Sequence, residues 1–206
     1  NIGGGMYVGT ISNLTLRNSK LLKNDGASQG GAIVAYSAGT IELDRVSVSK
    51  NTAQSGAGIY ALCTAVCNTD IHLLNGTAID ANTATTDYGG GIYAYAMANT
   101  LSVTAENSSV SGNTAAGGAG IFTYKSGSAV INVDLQSGAV MHNNNAAAGY
   151  GGGIYATASN INIAANSAVY NNTAATAGDD LFFYSGPTFT PPKAKDLSGA
   201  RLLSSD

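Results

Sequence analysis

The sequence repeats itself, and the repeat restricts the fold more than any other feature. A run of small residues, mostly glycine, followed by a short apolar stretch recurs as GGGMYV (3–8), GGAIVA (30–35), GAGIYA (56–61), GGGIYA (89–94), GAGIFT (118–123) and GGGIYA (151–156). The first apolar residue of each falls at Met6, Ile33, Ile59, Ile92, Ile121, Ile154 and, more loosely, Leu181, at intervals of 27, 26, 33, 29, 33 and 27. A second part alternates apolar and polar residues: Leu14/Leu16, Ile41/Leu43, Ile71/Leu73, Leu101/Val103, Ile131/Val133 and Ile161/Ile163. A third is an apolar residue, two spacers and an asparagine, ending at Asn24, Asn51, Asn82, Asn113, Asn144 and Asn172. A unit of this length cannot bury an apolar face alone, so successive units must stack.

Each part has the period of two of a strand, and none has the 3.6-residue spacing of an amphipathic helix. Three short strands per unit of about 30 residues, punctuated by Gly and Asn, predict a solenoid whose aligned strands stack at about 4.8 Å. The fold class is therefore all-β, a right-handed parallel β-helix of six to seven coils with three short strands per coil. Alanine two residues after the inward isoleucine, at 35, 61, 94 and 156, fits a narrow core. A β-propeller is the runner-up, but its blades need four antiparallel strands. The β-helix is placed at 1–184. Residues 185–206, SGPTFTPPKAKDLSGARLLSSD, break the repeat with three prolines and are expected to pack on the β-helix or on a neighbouring subunit. The asparagine corner reads as structural, because Asn tolerates left-handed turns and stacked Asn side chains can bond from coil to coil.

With Gly-Gly-Ala-Ile at 30–33, its GAGI and GGGI variants, and six x-x-Asn elements, the chain resembles the passenger repeats of chlamydial polymorphic membrane proteins. That resemblance covers nearly residues 1–181 and implies a secreted, surface-exposed adhesin built on a β-helix. The aromatic before x-x-Asn that marks the family is absent here, its place taken by Leu, Val, Ile or Met.

Alternation assigns outward positions on the first strand. One column is Tyr7, Val34, Tyr60, Tyr93, Phe122, Tyr155 and Phe182, and the next is Gly9, Tyr36, Leu62, Tyr95, Tyr124, Thr157 and Tyr184. Ten of the fifteen aromatics thus line one outer face. Stacked aromatics stabilise a sheet by roughly 0.5–1 kcal/mol per pair. So wide an apolar stripe also marks an interface, to be covered by a second subunit, the chain's own tail or a saccharide. Gly, Ala and Val around it favour protein contact over sugar.

Sequence chemistry argues against catalysis. Asn68-Thr69-Asp70 and Gly178-Asp179-Asp180 resemble fragments of the polygalacturonase signature, but nearly four coils separate them, and that family's Gly-His-Gly and Arg-Ile-Lys elements are absent. Glycoside hydrolysis needs two carboxyls about 5–9.5 Å apart. A lyase needs a base beside clustered acids, yet Lys125 is the sole basic residue between Lys50 and Lys193. His72 and His142 fall on different strands of different coils, so neither a metal site nor a triad is supported. No catalytic residue, metal or cofactor is predicted.

Charge is sparse, 10% of residues against about 25% in ordinary chains. It is also uneven: residues 1–50 carry five basic and three acidic side chains, residues 51–180 one basic and seven acidic. The net of -3 excludes nucleic acid as a partner, and no apolar run reaches the roughly 20 residues of a membrane helix. A basic end and an acidic body would complement each other in head-to-tail stacking. The chain opens directly into NIGGGMY with no capping element and no signal peptide. That leads to the expectation of upstream β-helix coils or a stacked second copy, inside a longer or processed precursor. Cys63 and Cys67, four apart in an inserted loop, suit a local disulfide in an oxidising compartment. Sequons stand at Asn13, Asn75, Asn107 and Asn171, in the number chance predicts. The sequence reading is a secreted, non-enzymatic adhesin segment or filament subunit meeting a host or matrix surface or itself. The alternative is a polysaccharide-binding or polysaccharide-degrading β-helix enzyme.

Overall fold

Period-two alternation places every second side chain inside, and the chain closes that inside by winding into parallel coils. The structure is a computed structural model describing residues 4–64, 67–186, 188–191 and 201–202. The first sheet stacks Met6–Val8, Ile33–Tyr36, Ile59–Cys63, Ile92–Ala96, Ile121–Lys125, Ile154–Thr157 and Leu181–Tyr184. The second stacks Leu14–Arg17, Thr40–Asp44, Asn68–Leu74, Thr100–Glu106, Val130–Leu135, Asn160–Ile163 and Thr188–Thr190. The third stacks Lys20–Leu22, Ser47–Ser49, Ala78–Asp80, Ser109–Ser111, Val140–His142, Ala168–Tyr170 and Arg201–Leu202. All pairings are parallel, and the isoleucines align in register: Ile33 with Ile59, Ile59 with Ile92, Ile92 with Ile121, Ile121 with Ile154.

A fourth sheet corrects the count of three strands per coil. Asp25–Gln29, Thr52–Ser55, Thr83–Ala84, Thr114–Ala115, Asn145–Ala146 and Thr173–Ala174 pair in the same parallel order. Most are two residues long, too short for alternation to announce them. Their alanines Ala84, Ala115 and Ala146, together with Ala119 from the corner before Ile121, form a small core of their own.

The main core is the isoleucine column together with Leu43, Leu73, Leu101, Val110, Met141 and their neighbours, all fully buried. Burying each such aliphatic side chain contributes about 1.5–3 kcal/mol. Beyond residue 184, Thr188–Thr190 pairs with Asn160–Asn162 of the second sheet, and the Phe189 ring lies 5.3 Å from Phe183. Arg201 and Leu202 pair with Ala168 and Val169. The rest of the 185–206 segment at 187, 192–200 and 203–206, like residues 1–3 of the span set at 1–184, lies outside the described residues.

The asparagines form a continuous ladder. Each donates from both Nδ2 and its backbone N–H to Oδ1 of the next: Asn24 to Asn51, Asn51 to Asn82, Asn82 to Asn113, Asn113 to Asn144, and Asn144 to Asn172, at 2.8–3.0 Å. The left-handed conformation belongs instead to the residue before each: Lys23, Lys50, Ala81, Gly112, Asn143 and Asn171. The asparagine itself is there for its side-chain amide and not for its backbone.

The ladder ends on a carboxylate. Asn172 donates from Nδ2 to Asp180 Oδ1 at 2.9 Å, and from its backbone N–H at 3.2 Å. Asp180 stands where the earlier coils have glycine or, at Ala32, alanine, and its side chain takes the place of the next asparagine.

Candidate ligand groove on the first sheet

The outward columns of the first sheet are not equally open. Tyr7 is 58% exposed, but Tyr60 and Phe122 are each only 5% exposed. The cover comes from corner loops that approach the sheet from the fourth strand. Gln29 donates to the Tyr60 hydroxyl at 3.1 Å. Tyr88 stacks on Phe122, ring centroids 4.4 Å apart, and Tyr150 stacks on Phe182 at the same separation. Tyr93 bridges Tyr60 and Phe122 at 4.8 and 5.0 Å, and Tyr155 meets Phe122 and Phe182 edge-on at 5.1 Å. From Tyr60 to Phe182 of this inner column, the expected cover by a tail, a subunit or a saccharide is supplied by the chain's own loops, while Tyr7 in the first coil stays open.

Tyr88 and Tyr150 escaped the sequence reading, although a signal existed. YGGGIYA occurs identically at 88–94 and 150–156, two coils apart, in the two units with 33-residue intervals. A ring leaning over the next coil needs a small residue there: a Cβ on Gly117 would sit 3.0 Å from the Tyr88 ring. Large and small residues therefore alternate at this corner, giving a period of two coils.

The outer column stays open. Tyr36 is 37% exposed, Tyr124 41% and Tyr184 58%, and Tyr95 meets Tyr124 edge-on at 5.1 Å. Between this column and the corner loops runs a groove of about 310 Å³, lined by Asp87, Tyr88, Tyr93, Tyr95, Phe122, Tyr124, Tyr155, Thr157 and Tyr184. Thr157 interrupts the aromatic column and leaves a notch flanked by Tyr124 and Tyr184.

Asp87 is the one charged group among these lining residues. Its Oδ2 accepts from the Ser55 hydroxyl at 2.8 Å, while its backbone bonds to Gln54 and Ala116 at 3.1 and 2.8 Å. A carboxylate held at both side chain and backbone is preorganised. Burial, reinforced by the Asp87 charge and neighbouring phenols, pushes the Tyr60 hydroxyl up to about 12 and raises Tyr93 as well. Burial likewise raises Tyr155. These phenols stay neutral at physiological pH and keep a proton to donate.

The other sequence candidates fall elsewhere. Cys63 and Cys67 are disulfide-bonded, Cα–Cα 5.8 Å, both buried. Asn13, Asn75, Asn107 and Asn171 are all exposed, the last three in left-handed turns. Asp70 and His72 sit on the second sheet, His142 on the third, where it stacks on Tyr170 at 5.3 Å. Asp179 accepts from the Ala174 backbone N–H at 2.7 Å, so this pair, several coils from Asp70, is engaged in closing its own corner. A second group missed by the sequence reading gathers on the second sheet. Arg17 reaches Glu42 at 3.1 Å and Arg45 reaches Asp44 at 3.0 Å, with His72 in register beside Glu42. Arg17 is 63% exposed, and such pairs contribute at most about 1 kcal/mol.

No curated protein and no solved structure matches the chain. A family model for the right-handed β-helix region matches residues 4–190. With the parallel sheets, the in-register isoleucine column and that match, the chain belongs to the right-handed β-helix family.

Proposed function

We propose that the chain is a non-enzymatic β-helix of the cell exterior that acts through its surface, as an adhesive segment or the subunit of a filament. On this reading the aromatic groove of the first sheet is its contact surface. One observation carries the proposal: an aromatic face with its inner column capped by loops and its outer column open to solvent. Rings held rigid and half wet offer large contact area at small entropic cost, as interface hot spots do. The Cys63–Cys67 disulfide supports an oxidising exterior. The resemblance to chlamydial passenger repeats points the same way.

The test compares the wild-type chain with the triple variant Tyr95→Ser/Tyr124→Ser/Tyr184→Ser. Attachment of protein-coated beads to matrix-protein films and cell monolayers is measured, together with light scattering and negative-stain microscopy at micromolar concentration. The variant should lose only a few degrees of thermal midpoint, about what one aromatic pair such as Tyr95–Tyr124 contributes, and lose attachment or assembly by roughly tenfold or more. Unchanged attachment and assembly in the variant would remove the groove as the contact surface. Release of reducing ends from a polysaccharide by the wild-type chain would overturn the non-enzymatic reading.

A further inference from the structure

The groove has a sign as well as a shape. Aromatic faces carry negative electrostatic potential, and Tyr88, Tyr93, Tyr95, Tyr124 and Tyr155 line the same groove as a single anchored carboxylate, Asp87. No cationic side chain is among the lining residues. Lys125, next to Tyr124 in sequence, spends its ammonium on the Ala129 carbonyl at 3.1 Å. The surrounding residues 51–180 carry one basic against seven acidic side chains, a net of -6. The whole arrangement is an uncompensated negative pocket with apolar walls.

We infer that this groove recognises a cation, specifically an arginine side chain presented by a partner protein. The inference rests on the reading of the groove as a contact surface and supplies its chemistry. Ser55 occupies one acceptor position of Asp87 at 2.8 Å, and a carboxylate offers about four. The remainder can meet a guanidinium while the ring faces meet its plane. The notch at Thr157 sets the dimension. Thr157 pairs with Tyr184, and its strand follows that of Tyr124, so the two flanking rings root two strand spacings apart, about 10 Å. That spacing admits one flat side chain entering the groove side-on between the two rings. Guanidinium is flat, weakly hydrated and always charged, whereas ammonium is compact and strongly hydrated. A sugar ring would need a wider set of polar partners than Asp87, Thr157 and the tyrosine hydroxyls provide.

The experiment titrates the full chain with an acetylated, amidated Gly-Arg-Gly peptide, with its citrulline counterpart, and with cellopentaose, following tyrosine ring resonances by NMR. Citrulline keeps the shape of arginine and lacks its charge. The arginine peptide should bind saturably at millimolar concentration or below and shift groove tyrosines. The citrulline peptide should bind roughly tenfold or more weakly, in line with the greater strength of charge-assisted contacts. Asp87→Asn, which keeps the acceptor for Ser55, should weaken the arginine peptide by a similar factor. Thr157→Tyr, which fills the notch from outside the core, should abolish binding. Both variants should keep the wild-type melting temperature. Equal affinity for the two peptides, indifference to Asp87→Asn, or no saturable binding of the arginine peptide overturns cation recognition. If cellopentaose alone binds, and the triple tyrosine variant loses it, cation recognition falls while the groove remains a contact surface. If the arginine peptide binds as expected yet the triple variant still attaches to films and cells, the broader reading falls instead.

Discussion

At the scale of single residues, the asparagine ladder shows a polar group stabilising an interior that alternation alone would make apolar. Asn82, Asn113 and Asn144 are fully buried. Each Nδ2 also donates to a backbone carbonyl of the preceding coil: Val48, Ile79 and Val110 for these three, at 2.9–3.0 Å. Nothing in a rung is left unpaired, which is the condition under which buried amides help rather than harm. Asp180 is the exception, for its Oδ2 is buried with no partner among the described residues. Burial raises its carboxyl above the ordinary value, against the lowering effect of its bonds from Asn172. The folded chain therefore holds this proton more tightly than the unfolded chain. Its contribution to stability is fully present below the ordinary carboxylate value and is withdrawn as pH climbs from that value to the raised one. Asp180→Asn keeps the Oδ1 acceptor and cannot ionise. Thermal midpoints measured between about pH 4 and about pH 8 should show the variant losing that downward slope and gaining on wild type as pH rises. Parallel curves would mean that Asp180 is not held in a raised state by its burial.

At the scale of elements, three of the four sheets were legible because their inward residues are large and alternate: Ile41 and Leu43 in the second sheet, Ile33 in the first, Val48 in the third. The fourth was not, because Thr-Ala is too short to alternate and its partners are the same two residues a coil away. The corner was legible as a corner but misread in detail. The stacked amide needs Asn in the ladder position, while the left-handed conformation falls one residue earlier, on whatever stands there, including Ala81 with φ 52°. This separation predicts a reciprocal pair. Gly89 has φ 70°, and a Cβ on it would lie 2.6 Å from the Ile92 carbonyl oxygen. Gly89→Ala should therefore destabilise by about 1–3 kcal/mol in denaturant unfolding. Ala81→Gly relieves a left-handed alanine at the expense of a looser unfolded chain, and should stabilise slightly, by about 0.5 kcal/mol. If both substitutions move stability the same way, the two corners, one before Asn82 and one before Ile92, are governed by packing and not by backbone conformation.

At the scale of the whole molecule, the groove exists only because corner loops from one coil reach over the sheet of the next. Its tyrosine columns could be read from the sequence, since they are carried by one repeated motif. Asp87 could not, because it stands in a loop of variable length whose direction depends on small residues such as Gly117 in the following coil, and the only signal for Tyr88 was the YGGGIYA context it shares with Tyr150. The same dependence of each coil on its neighbours governs stability. In a solenoid, free energy is nearly a sum of coil terms and nearest-neighbour interfaces, so in the 206-residue chain by itself a coil with one neighbour should open more readily than a coil with two. The burial pattern agrees: Met6, Leu14, Leu16 and Leu21 in the first coil are only partly buried against the core, whereas Ile59, Ile71 and Ile79 in the third are fully enclosed. Asn24, the ladder's first rung, is likewise only half-buried. Local opening energies rise with enclosed apolar contact and with hydrogen bonds shielded from water. Native-state hydrogen exchange should therefore show amides of Ile59–Cys63, Ile92–Ala96 and Ile121–Lys125 protected on the order of 100-fold or more above those of Met6–Val8 and Leu14–Arg17. Uniform protection along the chain would mean that the stack opens only as one unit, with coupling between coils larger than the stability of any coil within it.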